Sequence, residues 1–467
     1  MHHKHSCKQP RHARQPKSTT PANRVQHFFL QRFAHCFQSL PIELIWRQHH
    51  RHRRPSLLPF VDLLLALVYH VLMGSGSLQD HVAELTGHHL TGSALAQRRQ
   101  RLPWIIFEQI LAGVLQRRAN GRVQPHAFYK GWRLLGVDGS RLAMTNAAGI
   151  LQGFRKATSR RMKAAFAQVQ VAVLVELGLH NPVAVEIGRA GESEMVLGVR
   201  LLQRLIAGDL LLADRLYGVQ KVATQLLALV QGRGAQFLVR VRGNLKARLV
   251  RVLADGSAVV EIETRDAAGG KSRLEVREVC GWVRGRNGKR TRVRLWTSLL
   301  EARQYPAAEL LALYAQRWEV EITIKELKVE MRGRGGDVLA AQTVETAAQE
   351  IAALMMALAV VVQVRCEAAK NGEVSVLRVS FRQTLRLVRS LWTLLEIGDG
   401  IHTDQQVRAL VARTVERIAT AVTPVRRARS CPRAVRQPVG SWPRLLRRQE
   451  WQGAIQYEII PSKERKI

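Results

Sequence analysis

Cysteine and long apolar runs are both scarce in this chain of 467 residues. The five cysteines are scattered and none forms a Cys-x-x-Cys pair, so we expect neither a disulfide framework nor a zinc module. The most apolar run, residues 351–364, is shorter than the ~20 residues that cross a bilayer. Residues 1–24 contain no apolar core of a signal peptide. These absences predict a protein of the reducing cytoplasm with no membrane partner.

Acidic residues are also few. The chain has 36 Asp and Glu against 72 Lys and Arg, which gives a formal net charge of +36 and a pI near 11.3. So large a positive charge requires an anionic partner, and nucleic acid is the usual one. A membrane surface is the competing partner, but no stretch of the sequence resembles an inserted segment. The complete P-loop motif is missing, so nucleotide hydrolysis is not expected.

The hydrophobic pattern from residue 132 onward predicts an α/β fold. Three strands, a helix, a strand, a helix and a strand are expected in that order at 132–138, 168–177, 182–188, 192–207, 210–214, 219–231 and 235–243. This order is typical of a ribonuclease H-like fold, in which three antiparallel strands are followed by parallel ones. Alternating residues between 244 and 300 predict a small β subdomain, inserted before a last core helix at 307–332.

Changes in pattern divide the chain into six segments. A disordered basic arm comes first, and a helical DNA-binding domain follows. The ribonuclease H-like core then has two parts, with the inserted β subdomain between them. The last segment is a basic C-terminal region for which dimerisation and disorder are both open. In chain order the predicted bounds are 1–25, 26–125, 126–243, 244–302, 303–395 and 396–467.

The helical DNA-binding domain contains a cluster of arginines. We predict Thr91 or Ser93 as the N-cap of a helix whose later turns carry Arg98, Arg99 and Arg101. These arginines are predicted to bind DNA phosphates. The alternative is a basic face that is only solvated.

Three carboxylates fall at particular points of the predicted elements. Asp138 ends the first strand, where Gly139 would allow a sharp exit, and Asp214 ends the fourth strand. Glu321 lies on the last core helix. In a ribonuclease H-like sheet these two strand ends lie side by side, and that helix crosses near them. Three carboxylates there would hold two divalent metal ions, Mg²⁺ or Mn²⁺, because such ions prefer oxygen ligands. Each aspartate alone is better explained as a turn or cap residue.

A polar stripe follows the last core helix. At 3.6 residues per turn one face of that helix carries Tyr314, Arg317, Glu321 and Lys328. Glu319 and Glu326 lie off this stripe and are interpreted as surface residues. Taken alone, the stripe is equally typical of a solvated amphipathic helix with Arg–Glu pairs.

The stripe has the spacing Tyr-x2-Arg-x3-Glu-x6-Lys, which resembles the YREK signature of bacterial insertion-sequence DDE transposases, insertion-sequence family 4 in particular. VDGS (137–140) and LLLADRLYG (210–218) are similar to the two aspartate motifs of that family. The second motif departs from the commoner Asp-Arg-Gly-Phe sequence, because Leu216 and Tyr217 stand in place of the Gly and the Phe. The resemblance spans residues 45–395.

The resemblance implies a DNA transposase that works by cut and paste. Such an enzyme nicks the element ends, can form and reopen a hairpin, and joins the ends to target DNA. Its partners would be double-stranded DNA, at terminal inverted repeats and at the target, and a second copy of the chain. Asp138, Asp214 and Glu321 would be the catalytic residues and the ligands of two Mg²⁺ or Mn²⁺ ions.

The resemblance also implies roles in DNA binding. The residues that would hold phosphates or the DNA end beside the metals are Tyr314, Arg317, Lys325 and Lys328. Trp296, with Trp282 as its rival, would stack on a flipped base in the inserted β subdomain. Core packing is the alternative role for both tryptophans.

Two other classes of function remain open on sequence alone. A two-metal nuclease of the same fold would use the same carboxylates and would not join DNA ends. An inactive transposase-derived repressor would bind DNA without cutting it, although the presence of all three acidic residues argues against this alternative.

Overall fold

The computed structural model describes residues 42–49, 58–157, 164–189, 191–265, 270–284, 290–332, 338–424 and 456–459. The predicted basic arm, residues 1–25, lies outside these ranges. Most of the predicted basic region beyond residue 424 lies outside them too.

Helices dominate the described chain before residue 115. Their bounds are α1 Ile42–His49, α2 Phe60–Met73, α3 Leu78–Thr86, α4 Gly92–Gln100 and α5 Trp104–Val114. The Thr91 hydroxyl accepts a hydrogen bond from the Ala94 backbone N–H at 3.2 Å, so Thr91, and not the alternative Ser93, is the N-cap of α4. The Ser77 hydroxyl caps α3 in the same way. Each cap satisfies a backbone donor that the first helical turn leaves unpaired.

Strands of the described residues form one mixed sheet. Their bounds are β1 Phe128–Tyr129, β2 Trp132–Met144, β3 Ala167–Glu176, β4 Asn181–Ile187, β5 Asp209–Ala213, β6 Gln236–Arg240, β7 Arg248–Val252, β8 Ala258–Arg265, β9 Lys271–Arg284, β10 Arg290–Thr297, β11 Val338–Leu339 and β12 Gln456–Ile459. Across the sheet the order is β4-β3-β2-β5-β6-β10-β9-β8-β7, while β1 and β11 pair with β2 and β12 pairs with β9. The protein is therefore mixed α/β with a large central sheet.

The centre of the sheet brings the two predicted aspartates together. β2 pairs in parallel with β5 up to Gly136 opposite Leu212, and Asp138 and Asp214 both come shortly after this pair. β2 does not end at Asp138, however, because its antiparallel pairing with β3 continues through Gly139 and beyond. The prediction of a sharp chain exit at Gly139 is therefore wrong.

The strands between residues 248 and 297 extend the same sheet. β10 is antiparallel to β6, with Trp296 opposite Val239, and β9, β8 and β7 follow outward. Arg277 of β9 is fully buried and donates to the carbonyls of Leu299 and Tyr305. The predicted strands form, but their hydrogen bonds to β6 make them a continuation of the central sheet.

The remaining helices cover the sheet and complete the core. Their bounds are α6 Ala148–Gly153, α7 Glu194–Leu202, α8 Gln220–Arg233, α9 Ala307–Tyr314, α10 Trp318–Lys325, α11 Val344–Asn371, α12 Phe381–Ile397 and α13 Asp404–Thr420. By length and apolar content α11 could cross a membrane, but 89% of its most apolar window is buried inside the protein. It is longer than the apolar run seen in the sequence, and it acts as a core helix.

The predicted last core helix is not a single α-helix. After α9, residues Ala315–Arg317 form a 3₁₀ turn, α10 follows, and Glu326–Glu330 form a π-helical turn. The Met331 N–H donates to the Glu326 carbonyl at 3.0 Å, which closes the wide turn. Because a π turn holds more residues than an α turn, the stripe drawn at 3.6 residues per turn shifts after Lys325.

Candidate active site

Asp138, Asp214 and Glu321 line one cavity of about 270 Å³. The same cavity is lined by Gly139, Arg317 and Ile324. β2 supplies Asp138, the end of β5 supplies Asp214 and α10 supplies Glu321. Three segments far apart in the sequence thus contribute acidic side chains to one small space.

Each of the three carboxylates has a nearby donor. Asp138 Oδ1 accepts from the Gly139 N–H at 2.9 Å, and Asp214 Oδ1 accepts from the Leu216 N–H at 2.7 Å. The second bond is the Asx-turn contact that stabilises a chain reversal after a strand. Glu321 Oε1 accepts from Arg317 Nη2 at 2.6 Å. Among the described residues no three His, Cys, Asp or Glu side chains converge closely enough to hold a metal ion as they stand.

The electrostatics of the cavity favour a cation. The pKa of Asp138 is raised to about 7, first by burial and then by the neighbouring carboxylates of Glu194 and Asp214, against the lowering effects of the Gly139 N–H and of Arg317. Crowded carboxylates of this kind are stabilised when a positive charge lies between them. The oxygen donors and their mutual repulsion therefore fit a divalent ion such as Mg²⁺ or Mn²⁺.

Glu194 is an acidic residue of the site that the sequence did not indicate. It is the first residue of α7, and its Oε1 accepts from the Gly139 N–H at 3.1 Å. A Cβ atom on Gly139 would lie 2.3 Å from the Glu194 side chain. Close approach of this side chain is therefore the reason for a glycine here. The contact joins α7 to β2, and no sequence spacing could have revealed it.

The polar stripe lies only partly in the cavity. Arg317 and Glu321 line it, and Tyr314 is half-buried, with burial raising the pKa of its hydroxyl to about 12. Lys328 Nζ donates to the Ser140 hydroxyl at 3.1 Å, shortly after Asp138 on β2. Lys325, the last residue of α10, is exposed and does not line the cavity.

Glu319 and Glu326 are not surface residues. Glu326 is 4% exposed, and both carboxylates bind the ring of the buried His180. The interpretation from the sequence is wrong because it treated every residue off the stripe as solvated. The opposite side of the helix faces a buried histidine from the turn after β3.

The arginines of α4 differ in their surroundings. Arg99 Nε donates to Gln349 Oε1 at 3.0 Å, and a guanidinium nitrogen lies 3.5 Å from Glu350. Both partners are on α11, so Arg99 ties α4 to the core, and its role as a phosphate contact stays a prediction. Arg98 is half-buried and Arg101 is exposed.

Trp296 is a core residue. It is 1% exposed, its Nε1 donates to Glu278 Oε2 at 2.9 Å, and the Arg294 guanidinium lies 5.5 Å from its ring centroid. A flipped base cannot reach this ring while the sheet is intact, so the core-packing alternative describes Trp296. Trp282 is half-buried, with the Arg290 guanidinium 5.6 Å from its ring centroid.

Comparisons with known proteins find transposases. A family model described as "Transposase DDE domain" matches residues 133–361, a range that contains all three cavity carboxylates. The chain is 25% identical to "Transposase InsG for insertion sequence element IS4" of Escherichia coli (strain K12) over 357 residues, which is 75% of this chain and 78% of that protein.

One solved structure is also similar. It is the "Cryo-EM structure of piggyBac transposase synaptic complex with hairpin DNA (SNHP)", with 10% identity, a TM-score of 0.37, and coverage of 86% of this chain and 79% of that chain.

Proposed function

Because the chain belongs to the DDE transposases of the insertion-sequence 4 type and is a DNA-cleaving and strand-transfer enzyme, we propose that its active site is the cavity lined by Asp138, Asp214 and Glu321. The observation that carries this proposal is the meeting of the three carboxylates, from β2, the end of β5 and α10, around one cavity beside Arg317. In this proposal the β2–β6 part of the sheet is a ribonuclease H-like core.

The carboxylates would hold two divalent ions, Mg²⁺ or Mn²⁺. Bound there, the ions would supply activation of water or of a 3′-hydroxyl and charge stabilisation on the phosphodiester. Asp138 and Asp214 enter from the rigid sheet, and Glu321 enters from the helix above it. Arg317 holds the Glu321 carboxylate, and its other N–H groups are suited to a phosphate oxygen.

The DNA end would lie along the polar stripe. Lys328, next to Ser140 on β2, places an ammonium group near Asp138, and Tyr314 is suited to donate to a phosphate or to stack on the DNA end. Lys325 is exposed and would contact the DNA further out. These groups bind phosphates whatever the base sequence.

The partners and course of the reaction follow from the family. The substrate would be double-stranded DNA with terminal inverted repeats, cut and pasted into target DNA by a homodimer in the cytoplasm. The helical segment 26–125, with Arg98 and Arg101, would bind the DNA ends. The segments 126–243 and 303–395 would form the catalytic core, 244–302 its β extension, and 396–467 a basic region for dimerisation.

The test uses purified protein and a labelled duplex that carries the element's own end, with Mg²⁺ or with EDTA. Glu321→Gln should abolish nicking and leave end binding largely unchanged, because it removes one metal ligand and no phosphate contact. Glu330→Gln is the matched control, since Glu330 pairs with Arg382 outside the cavity.

The products distinguish the remaining functions. Nicking together with joined products supports the transposase reaction, and nicking without joining supports a two-metal nuclease. Binding without any cutting by the wild-type protein contradicts the proposed active site and supports a transposase-derived repressor.

A further inference from the structure

His180 occupies an unusual position in the turn between β3 and β4. Its side chain is fully buried, and its backbone has φ +58°, a left-handed conformation that non-glycine residues rarely adopt. Backbone strain of this kind persists where surrounding contacts fix the residue. The contacts around its ring explain why the turn is held in this conformation.

Both nitrogens of the His180 ring face carboxylates. Nδ1 lies 2.8 Å from Glu326 Oε2, and Nε2 lies 2.7 Å from Glu319 Oε2. Ionised carboxylates only accept hydrogen bonds, so both ring nitrogens must donate, which makes the ring an imidazolium. Arg365 Nη1 lies 3.4 Å from the other oxygen of Glu326. Two cations and two carboxylates therefore alternate in a buried cluster.

This cluster joins the two sides of the proposed active site. Glu319 and Glu326 belong to residues 318–330, hereafter the Glu321 segment, which comprises α10 and the π-helical turn. His180 follows β3, and β3 pairs with β2 at Asp138. The histidine thus connects the segment that carries one carboxylate to the sheet that carries another.

Other contacts also hold the Glu321 segment, since Val320 and Leu327 are buried in the core and Glu330 pairs with Arg382. Lys328 binds Ser140 of β2 near the cavity. His180 makes two charge-assisted bonds to sites about two helical turns apart on the segment. Two such points of attachment fix both the rotation and the translation of the segment along the sheet.

We propose that His180 is a positioning residue that holds Glu321 in place relative to Asp138 through its bonds to Glu319 and Glu326. The proposal rests on the active site proposed above. Reacting groups must be placed closely, since a displacement of about 1 Å can cost a factor of about 100 in rate.

The first variant to test is His180→Gln, which keeps a donor but removes the positive charge. Its matched control is Asp209→Asn, which neutralises a buried carboxylate paired with Arg117 at the opposite end of β5 from the cavity. Amide hydrogen exchange of the Glu321 segment is measured by mass spectrometry without metal or DNA. We expect exchange about tenfold faster in His180→Gln and unchanged in Asp209→Asn.

Cleavage of the labelled element end gives the second readout. In His180→Gln we expect at least about a tenfold slower nicking rate and a higher Mg²⁺ concentration for half-maximal rate, with the Kd for the DNA end unchanged. Asp209→Asn should keep the wild-type Mg²⁺ requirement even if its melting temperature falls as much as that of His180→Gln.

A rescue variant separates positioning from a general loss of stability. In His180→Gln two carboxylates are left without the imidazolium, so adding Glu319→Gln should remove their repulsion. The double variant should therefore cleave faster than His180→Gln alone, although Glu319→Gln by itself slows cleavage.

Equal exchange of the Glu321 segment in His180→Gln and wild type, or no rescue, overturns the proposal. If wild type and Glu321→Gln cleave equally, the proposed active site fails, and the exchange experiment still decides whether His180 holds the segment.

Discussion

Replacing Arg277 with methionine should weaken the whole central sheet rather than its outer strands alone. The Arg277 side chain is fully buried and donates to the Ser257 hydroxyl at 2.9 Å and to the Tyr305 carbonyl at 2.7 Å. Its guanidinium also pairs with Asp255. These contacts join β9 to the turn before β8 and to the chain that enters α9.

The cost follows from the full burial of Arg277, whose partner Asp255 is 22% exposed. Removing one partner of a buried ion pair destabilises a protein by about 3–5 kcal/mol, since the other partner keeps its desolvation cost without its counter-charge. The partial exposure of Asp255 places Arg277→Met at the lower end of that range. In a protein that already carries Asp255→Asn, the Arg277→Met change should cost about 1–3 kcal/mol less, because no unpaired carboxylate charge is left behind. The exposed Arg248, paired with Glu261, serves as a control, and Arg248→Met should leave the unfolding midpoint unchanged.

Urea unfolding measures the loss of stability caused by Arg277→Met in the wild-type and Asp255→Asn backgrounds. Hydrogen exchange shows which strands are affected. Exchange in β6 and β9 should increase together in Arg277→Met, because β10 is hydrogen-bonded to both strands. A loss below about 1 kcal/mol, typical of surface pairs, would refute the reasoning. Independent unfolding of residues 248–297 would also refute it, since those strands would then be a separate subdomain.

Three further predictions follow from individual contacts. Trp296→Phe removes the hydrogen bond to Glu278 and should lower stability by about 1–3 kcal/mol in a denaturant titration, without a specific loss of hairpin product. Gly139→Ala should displace Glu194 and slow nicking while circular dichroism stays unchanged; wild-type nicking would contradict the close contact. Burial alone would lower the pKa of His180, but its two carboxylates raise it above 6.5. The stability that His180 contributes should therefore be complete below pH 6.5 and should be lost as the pH rises through the raised pKa. The melting temperatures of wild type and His180→Gln should then converge at alkaline pH.

Much of the fold could be predicted because hydrophobic periodicity reports local structure directly. The alternation of strands and helices after residue 132 predicts that Asp138, Asp214 and Glu321 lie on neighbouring elements. The surroundings of those residues could not be predicted in the same way. Glu194 reaches Gly139 across two packed elements, and such a contact leaves no mark in spacing.

Local irregularities account for the other differences. The π-helical turn at Glu326–Glu330 changes which residues share a face, and a 3.6-residue period cannot anticipate it. Glu319 is predicted to be a surface residue because it lies off the polar stripe, yet a buried histidine from a distant turn binds it. The family resemblance makes Trp296 a candidate base-stacking residue with core packing as the alternative, and the pairing of β10 with β6 places it in the core.

The most direct test of the central claim replaces each cavity carboxylate with a thiol. Asp138→Cys, Asp214→Cys and Glu321→Cys are assayed for nicking of the element end in Mg²⁺ and in Mn²⁺, with Glu330→Cys as the control. A thiolate is a poor ligand for the hard Mg²⁺ ion, and Mn²⁺ accepts it more readily. We predict loss of nicking in Mg²⁺ and partial recovery in Mn²⁺ for the three cavity variants, with normal activity of Glu330→Cys in both metals. Full activity of any cavity variant in Mg²⁺ would contradict the assignment of that carboxylate to the metal site.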